Sequence, residues 1–341
     1  MALRTGQIMA IRRSLDSATP EKGKDSNGPI QLFIGSSEVN LIEEQVFRYS
    51  LETHTSQNLQ INTIDATTGC VKFASGLEKE FPSAMKRRVK GATNFSLARY
   101  AIPEWCDFTG RAIYCDSDQI VFDDIFKLWN FELGNCAIAA VPVQEAFSSP
   151  HYEKHILNDL RRAPTPLYLT SVMLLDCSKL SHWRVESFIV NMDQGAFRYR
   201  EMMFLEKPFC DRYPVDIAGL PSYWNHLDRI NSETRLLHFT DLTSQPWLFP
   251  HNSTAHVWEQ YFLAAISAGY LNSQQLSDGV AKRAISNRIA ALPYMHPQLR
   301  FFLNWLWRNL EYLGLPALSI KRGLKTAKSQ AKLAFRKIRR R

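Results

Sequence analysis

Apolar segments of strand length alternate with helical patterns through the first 250 residues of the chain. An apolar segment at 30–34 ends in Gly35-Ser36-Ser37, a helical pattern follows over 41–53, and residues 59–64 predict a second strand. A strand, a helix and a strand in this order form a right-handed unit with parallel strands. Nucleotides commonly bind at the turns that follow such strands. The pattern therefore predicts an α/β fold.

The later part of the chain extends this pattern and then becomes helical. Residues 94–102 predict a helix that ends at Pro103, because the residue before a proline disfavours the helical conformation. Further elements are predicted as a helix near 125–129 and strands at 137–143, 168–175 and 235–239. After Pro250, helical periods occupy 256–268, 276–292 and 297–313. We divide the chain into a flexible leader (1–29), an α/β domain (30–250), a helical extension (251–315) and a basic tail (316–341).

One apolar segment is interrupted by two acidic residues. In Arg111-Ala-Ile-Tyr-Cys-Asp-Ser-Asp-Gln-Ile-Val-Phe122, the residues Asp116 and Asp118 stand two positions apart. In an extended chain these positions lie on one face, so both carboxylates would project together from the end of a buried strand. Carboxylate oxygens are suited to a divalent cation that holds a diphosphate. A solvated strand end is the alternative, since this spacing also arises by chance.

His238 and the pair Asp193-Gln194 can each be interpreted in two ways. His238 lies in the strand-like segment 235–239 and is followed by a polar turn and Pro246-Trp247. A single histidine in an apolar segment is either a metal ligand or, more commonly, a hydrogen-bonded core residue. Asp193 and Gln194 are suited either to bind a polyol or to cap a helix.

The positive charge of the chain is concentrated at its carboxyl end. The formal net charge is +8, and residues 321–341 contain ten Lys or Arg and no acid, which leaves −2 on the other 320 residues. Apolar residues recur every three or four positions between these cations, which predicts a basic amphipathic helix with an anionic membrane surface as its partner. A solvated helix and a nucleic-acid tail are the alternatives. The near-neutral body argues against nucleic acid.

Composition is ordinary for a folded protein. The hydrophobic fraction is 45% and the charged fraction is 22%. No apolar run reaches the length of a membrane-spanning helix, and the amino terminus lacks the apolar core of a secretion signal. The six cysteines are scattered and several lie in apolar segments. We therefore expect buried thiols and a cytoplasmic location, with the protein peripheral on the inner membrane face if the tail binds there.

The order of these motifs resembles glycosyltransferase family 8 and its bacterial relatives, which are retaining nucleotide-sugar transferases of GT-A fold. The resemblance covers residues 30–250 and is carried by six segments: 30–35, 93–103, 110–118, 170–180, Asp193-Gln194, and His238 with Pro246-Trp247. It implies a Rossmann-like mixed sheet flanked by helices. In this chain a helical extension and the basic amphipathic tail would follow that domain.

The resemblance implies a metal site. Asp116 and Asp118 match the family's metal-binding pair and His238 matches its third protein ligand, with the metal bridging the diphosphate of the donor. Mn²⁺ or Mg²⁺ would suit this site, and the nitrogen ligand favours Mn²⁺. Arg99 matches a basic residue that approaches the donor, and Ser117, which lies between the two aspartates, is also assigned to donor binding.

The resemblance also assigns residues to the rest of the donor. Asp193 and Gln194 match the pair that contacts the transferred sugar and are the implied catalytic residues. Gly35 and Ser36 follow the first strand, where the family binds its nucleotide. Two residues of the segment after the histidine, Gln245 and Trp247, are also placed at the donor.

That segment departs from the family pattern. Many members have a glycine and then a lysine before Pro-Trp, and the lysine touches the diphosphate. Here Asp241 replaces the glycine and Gln245 precedes Pro246, so the cation is missing. Either Arg99 and the metal suffice, or a basic residue from elsewhere completes the site.

The implied function is metal-dependent transfer of a hexose, with retention, from a UDP-sugar to a glycan or a lipid-linked acceptor at the cytoplasmic membrane face. Front-face attack, in which the leaving phosphate takes the proton of the acceptor, is the mechanism that the resemblance implies. The alternative is a catalytically inactive GT-A protein that serves as a binding or scaffold partner, which the missing lysine supports.

Overall fold

A computed structural model describes residues 28–86, 95–146, 166–249, 252–296 and 298–300. The strands in these ranges are β1 Ile30–Ser36, β2 Leu59–Asp65, β3 Cys70–Lys72, β4 Glu78–Glu80, β5 Arg111–Asp116, β6 Gln119–Val121, β7 Ile138–Pro142, β8 Tyr168–Asp176, β9 Ile217–Gly219, β10 His226–Leu227 and β11 Leu236–His238. The α-helices are α1 Leu41–His54, α2 Ile102–Trp105, α3 Phe126–Trp129, α4 Val143–Ala146, α5 Val185–Asp193, α6 Tyr199–Met203, α7 Lys207–Arg212, α8 Ala255–Ser267, α9 Ser273–Ala281 and α10 Asn287–Ala291.

The main sheet is mixed, as the sequence predicted. Its strand order is β4-β3-β2-β1-β5-β8-β7-β9. β1 is parallel to both β2 and β5, whereas β8 is antiparallel to β5 and β7. The pairing of Gly35 with Asp116 places the ends of β1 and β5 side by side. The predicted nucleotide turn and the first aspartate therefore share one edge of the sheet.

A second, smaller sheet begins where the main sheet ends. Only Ser117 and Asp118 separate β5 from β6, and β6 belongs to the sheet β10-β11-β6. β6 runs antiparallel to β11, with Gln119 opposite His238. This pairing joins segments that are far apart in sequence and brings the histidine next to the aspartates.

Both faces of the central strands are buried, which explains their nearly continuous apolar sequence. On β1, Phe33 packs into a cluster on one face, and Leu32 and Ile34 pack into a cluster on the other. On β5, Tyr114 and Ile113 divide in the same way. A strand that is covered on both faces needs no polar alternation. The two central strands are therefore held on both sides, and their carboxyl ends form a fixed edge.

The helix predicted at 94–102 was wrong in type and in its end. The described part is a 3₁₀ turn at Ala98–Ala101 followed directly by α2, and Pro103 lies in the first turn of α2. Proline is tolerated there because the first helical N–H groups need no partner within the helix. Pro103 thus begins a helix and does not end one.

The helix predicted at 276–292 was also wrong, because two helices occupy this segment. α9 ends before Arg283, which has a positive φ of 60°, and the N–H of Ala284 donates to the carbonyl of Gly279. Ser286 then accepts a hydrogen bond from the N–H of Ile289 and caps α10. A left-handed residue followed by a serine cap ends one helix and starts another.

The carboxyl-terminal helices α8–α10 share a core with the α/β domain. Their cluster contains Val257, Trp258 and Phe262 from α8, together with Ile42 of α1 and Leu237 of β11. The small sheet is thus supported by the helical extension on one side. The basic tail, most of the leader and most of the helix predicted at 297–313 lie outside the described residues.

The structure also bears on the cysteines and on membrane-spanning segments. All six cysteines are free thiols; Cys115 and Cys177 are buried and the other four are partly buried. Within the described ranges no helix has the length and apolar character needed to cross a membrane.

Candidate active site

Three predicted ligands converge at the crossing between the two sheets. Asp116 is the last residue of β5, Asp118 lies in the turn to β6, and His238 ends β11. One potential ligand atom from each lies within 4.8 Å of the others. His238 is 5% exposed, and the side chains of Asp116 and Asp118 are 16% and 22% exposed. The cluster is therefore buried at the histidine and partly exposed at the carboxylates.

Arg99 holds the first aspartate in place. Its Nη2 lies 3.0 Å from Oδ1 of Asp116, and its Nη1 donates to the carbonyl of Thr170 at 2.8 Å. The guanidinium also lies over the ring of Tyr114 at 4.5 Å, and the Tyr114 hydroxyl donates to the same Asp116 oxygen. A buried cation with these fixed contacts orients Asp116. Its predicted approach to the donor remains a prediction.

His238 is fixed from its other side by a buried amide. Its Nδ1 lies 3.0 Å from Oδ1 of Asn225, whose Nδ2 donates to Oγ of Ser171 at 2.9 Å. Its Nε2 faces Asp118 Oδ1 at 3.0 Å. The imidazole ring is thereby oriented with Nδ1 toward Asn225 and Nε2 toward Asp118.

The charges of the cluster act on one another. Burial raises the pKa of Asp116, with the negative charge of Asp118 adding to this effect and Arg99 opposing it. Burial alone lowers the pKa of His238, but Asp118 and Asp116 outweigh that effect and raise it above its usual value. The two carboxylates of the cluster thus favour positive charge at His238.

The residues present fit a divalent cation. Asp118 Oδ1 is buried and, among the described residues, has no aligned hydrogen-bond donor, although Nε2 of His238 is near. Two carboxylates and one imidazole form an oxygen and nitrogen donor set that suits Mn²⁺. An orphaned buried oxygen costs free energy unless a ligand or water satisfies it. A cation at this point would satisfy that oxygen.

The carboxyl end of β1 borders the cluster and contains a buried polar side chain. Ser36 is 1% exposed, and its Oγ has no hydrogen-bond partner among the described residues. A Cβ on Gly35 would lie 2.7 Å from Cδ2 of Phe95 and even closer to the hydroxyl of Tyr114. Gly35 is therefore needed for the tyrosine that binds Asp116. The nucleotide contact assigned to both residues remains a prediction.

The implied catalytic pair lies at the end of α5. Asp193 is the last residue of this helix and Gln194 follows it, and both are exposed. Among the described residues, the candidate ligand cluster of Asp116, Asp118 and His238 does not include either of them. Farther along the same segment, Tyr199 hydrogen-bonds Ser96 and interacts electrostatically with Arg99 and Asp116. The segment therefore leads toward the cluster, and the sugar-binding role of the pair remains a prediction.

The remaining donor-site predictions fall on buried or half-buried positions. Ser117 is 2% exposed, and Trp247 is 1% exposed and packs against Phe239 and Trp258. Gln245 is half-buried, and its carbonyl accepts from the N–H groups of Leu248 and Phe249. The donor contacts of these three residues remain predictions.

The segment that departs from the family pattern is tied into the fold by hydrogen bonds. Asp241 accepts from the N–H of Thr243 at 2.9 Å and from the hydroxyl of Ser244 at 2.7 Å. Its own N–H donates to Asp228. Arg288 donates to the carbonyl of Pro246, but its charge is paired with Glu259 at 2.6 Å. This arginine contacts the segment without offering an uncommitted cation.

Sequence reasoning missed two buried polar residues near the cluster. Glu43 on α1 is 5% exposed and accepts from Nδ2 of Asn40 at 2.9 Å. Burial raises its pKa to about 8, and the charge of Asp118 contributes to this. The sequence could have indicated Glu43, because it is an acidic residue at a position of the helical pattern that is otherwise apolar. Asn225 could have been indicated in the same way, because this polar residue directly follows buried Trp224.

The chain is similar in sequence to plant proteins and in structure to a solved glycosyltransferase. "Protein CDI" of Arabidopsis thaliana is 25% identical over 234 residues, which are 67% of this chain and 80% of that protein. "Probable galacturonosyltransferase-like 10" of the same plant is 24% identical over 217 residues, and the match spans 58% of its length. The solved galactosyltransferase LgtC, in complex with donor and acceptor sugar analogs, superposes with a TM-score of 0.50 at 14% identity. That alignment covers 70% of this chain and 96% of LgtC, so it shows the shared GT-A fold.

The match to a family model decides the assignment. The model described as glycosyl transferase family 8 matches residues 38–249, which contain the candidate metal ligands, Arg99, Asn225 and the Asp193-Gln194 pair. That range is more than half of the chain and agrees with the α/β part of the structure. The chain belongs to glycosyltransferase family 8.

Proposed function

We propose that this protein is a metal-dependent retaining glycosyltransferase that moves a hexose from a UDP-sugar to a glycan or a lipid-linked acceptor. The observation that carries the proposal is the convergence of Asp116, Asp118 and His238 within 4.8 Å. These residues would hold Mn²⁺ or Mg²⁺, which as a Lewis acid stabilises negative charge on a departing diphosphate.

The other residues of the site prepare this chemistry. Arg99 and the Tyr114 hydroxyl share one oxygen of Asp116, which leaves the second oxygen to the cluster. Asp193 and Gln194 would hydrogen-bond the transferred sugar from the segment that leads to Tyr199. The proton of the acceptor would pass to the leaving phosphate on the front face of the sugar, so that the configuration is retained. Ser36, whose hydroxyl is buried and unpartnered among the described residues, would bind the nucleotide.

The experiment is UDP release from a panel of UDP-sugars, with Mn²⁺ and with EDTA. The names of the similar proteins indicate UDP-galacturonate and UDP-galactose as the first donors to test. Wild type should release UDP slowly from one donor only when Mn²⁺ is present. Asp118→Asn should lower this rate at least 100-fold, since its amide cannot supply the charge that binds the cation.

Asp176→Asn is the matched control. Asp176 also ends a strand, but it pairs with Arg111 at the start of β5, at the opposite edge of the sheet from Asp116. Its carboxylate accepts from Ser178 and is near Lys179. Equal loss in both variants would indicate a general effect on folding. Metal-independent release in wild type would contradict the metal assignment.

The catalytically inactive alternative rests on Gln245 in place of the family lysine. It predicts that no donor releases UDP although Mn²⁺ and UDP still bind. Titration calorimetry with UDP and Mn²⁺ separates the two cases, because a site that binds both without turnover supports the scaffold role. An acceptor-dependent enzyme instead gains turnover when glycan acceptors are added.

The predicted membrane partner belongs to the same proposal. Residues 321–341 would attach the protein to an anionic, cytoplasmic membrane surface and so bring the site to a lipid-linked acceptor. The charge pattern of the tail supports this, and its cytoplasmic location is proposed on the same ground.

A further inference from the structure

Asn225 connects the histidine of the cluster to the main sheet. It is 0% exposed and lies between the 3₁₀ turn Ser222–Trp224 and β10. Its Oδ1 is 3.0 Å from Nδ1 of His238, and its Nδ2 donates to Oγ of Ser171 on β8 at 2.9 Å. The carbonyl of Ser171 accepts from Nε2 of Gln119 at 3.0 Å, directly opposite His238 in the small sheet. These bonds form a closed frame around the imidazole.

The two imidazole nitrogens have different tasks in this frame. A histidine binds a metal through a nitrogen that carries no proton, so the proton must lie on the other nitrogen. Nε2 faces Asp118, whereas Nδ1 faces the amide oxygen of Asn225, which can only accept. Ser171 binds the amide nitrogen and thereby keeps the oxygen turned toward the ring.

We propose that Asn225 is a positioning residue for the cation: it holds His238 in the form protonated at Nδ1 and aims Nε2 between Asp116 and Asp118. The inference rests on the proposed function, since it assumes that a divalent cation binds the cluster. Partners of this kind fix the orientation and basicity of a ligand, and their loss typically weakens metal binding about 10- to 100-fold.

Two substitutions distinguish positioning from packing. Asn225→Leu has a similar volume but no acceptor, so Nδ1 loses its partner. Asn225→Asp keeps an acceptor at the same point but places a charge in a buried position. A positioning role predicts that Asp retains Mn²⁺ affinity within about threefold of wild type while Leu lowers it about 10- to 100-fold. A packing role predicts the reverse order, because a buried charge is tolerated less well than an apolar side chain.

The control is Asn62→Leu. Asn62 is 1% exposed, accepts from the N–H of Ala74 at 2.9 Å and donates to Gln31 at 3.2 Å, so it is a buried bridging amide like Asn225. It lies on β2, where no metal ligand is placed. Its loss should reduce stability without changing Mn²⁺ affinity.

The experiment titrates Mn²⁺ alone into each full-length protein and measures free Mn²⁺ by electron paramagnetic resonance. Nitrogen NMR of labelled histidine, recorded with Mg²⁺, reports which ring nitrogen of His238 carries the proton. The expected result is Nδ1 protonation in wild type and Asn225→Asp, with a mixture of forms in Asn225→Leu. Should Asn225→Leu not fold, Ser171→Ala removes the group that orients the amide and should weaken Mn²⁺ binding several-fold.

Three results would overturn the inference. Unchanged Mn²⁺ affinity in both Asn225→Leu and Ser171→Ala would show that the amide has no role. Weaker binding in Asn225→Asp than in Asn225→Leu would show packing alone. A wild type that binds no Mn²⁺ would remove the metal premise of the proposed function as well, which distinguishes that failure from the first two.

Discussion

At the scale of single residues, the proposed metal site depends on a glycine that supplies no functional group. Gly35 leaves space for the Tyr114 hydroxyl, which donates to Asp116 beside Arg99. The tyrosine and the arginine together fix one carboxylate oxygen. The position of the Asp116 carboxylate thus depends on Gly35, which has no side chain.

Gly35→Ala tests this dependence. The added Cβ would lie 2.7 Å from Phe95 and closer still to Tyr114, so the tyrosine must move away from Asp116. We expect a loss of about 1–3 kcal/mol in the free energy of unfolding, as for other overpacked sites, and weaker Mn²⁺ binding. Gly219→Ala on β9 is the control, because its Cβ would meet only Pro142, at 3.3 Å. Equal Mn²⁺ affinity in both variants would show that Tyr114 does not set the site.

Glu43 should make stability depend on pH. Its pKa is about 8 in the folded protein against 4.5 for a free glutamate, so the folded state keeps a proton that the unfolded state has lost. The free energy of unfolding should therefore fall as the pH rises from about 4.5 to about 8, by a few kcal/mol in total, and then level off. Glu43→Gln should remove this fall.

Urea unfolding of both proteins with EDTA across this pH range measures the difference. The two curves should be closest in slope above pH 8, where Glu43 of wild type is ionised in both states. Parallel curves over the whole range would contradict a protonated Glu43.

At the scale of elements, α8 and α10 are joined to the segment after β11 by one arginine. Arg288 of α10 pairs with Glu259 of α8 at 2.6 Å and donates to the carbonyl of Pro246. The side chain of Glu259 is 6% exposed, so this ion pair is largely desolvated. The segment that contains Gln245 is thereby anchored to the helical extension.

Arg288→Met should destabilise the protein by about 3 kcal/mol, because it leaves a buried carboxylate without its guanidinium. Adding Glu259→Gln should recover part of this loss, since the uncompensated charge is then removed. A double-mutant cycle in urea measures the coupling. Additive losses would show that the two side chains do not interact.

The elements differ in how far the sequence could predict them. β1, β2 and β8 were found within one or two residues. The signal was clearest for β1, because a strand that is buried on both faces has a nearly continuous apolar sequence. The break between α9 and α10 was missed because Arg283 adopts a left-handed conformation that is uncommon for a non-glycine residue. Local turn geometry of this kind leaves no periodic signal.

The site was predictable only in part for a related reason. The pairing of Asp116 with Asp118 follows from their spacing, but His238 joined them through a family resemblance. Its contact depends on the pairing of β11 with β6, which is not encoded near either strand. Asn225 and Glu43 were missed because a polar residue in an apolar context does not identify its partner.

At the scale of the whole molecule, the basic tail should act separately from the transferase domain. Removal of residues 316–341 deletes all ten cations of 321–341 but no residue of the metal cluster. We expect unchanged UDP release and a loss of at least tenfold in binding to vesicles that contain anionic lipid.

Sedimentation with anionic vesicles, and with neutral vesicles as the control, measures this binding in the full-length and shortened proteins. Equal sedimentation of both proteins would place membrane attachment elsewhere. If the shortened protein no longer released UDP from soluble donors, the tail would instead be required for the activity of the transferase domain.

The crossing of the chain between two sheets has a consequence for cooperativity. Asp116 belongs to the main sheet and His238 to the small one, and only Ser117 and Asp118 connect β5 to β6. The small sheet has short strands, so without a ligand it can open locally while the main sheet stays folded. A cation bound by all three residues would have to leave before that opening. Amide hydrogen exchange in β6 and β11 should therefore slow on addition of Mg²⁺, and the two sheets should become one cooperative unit.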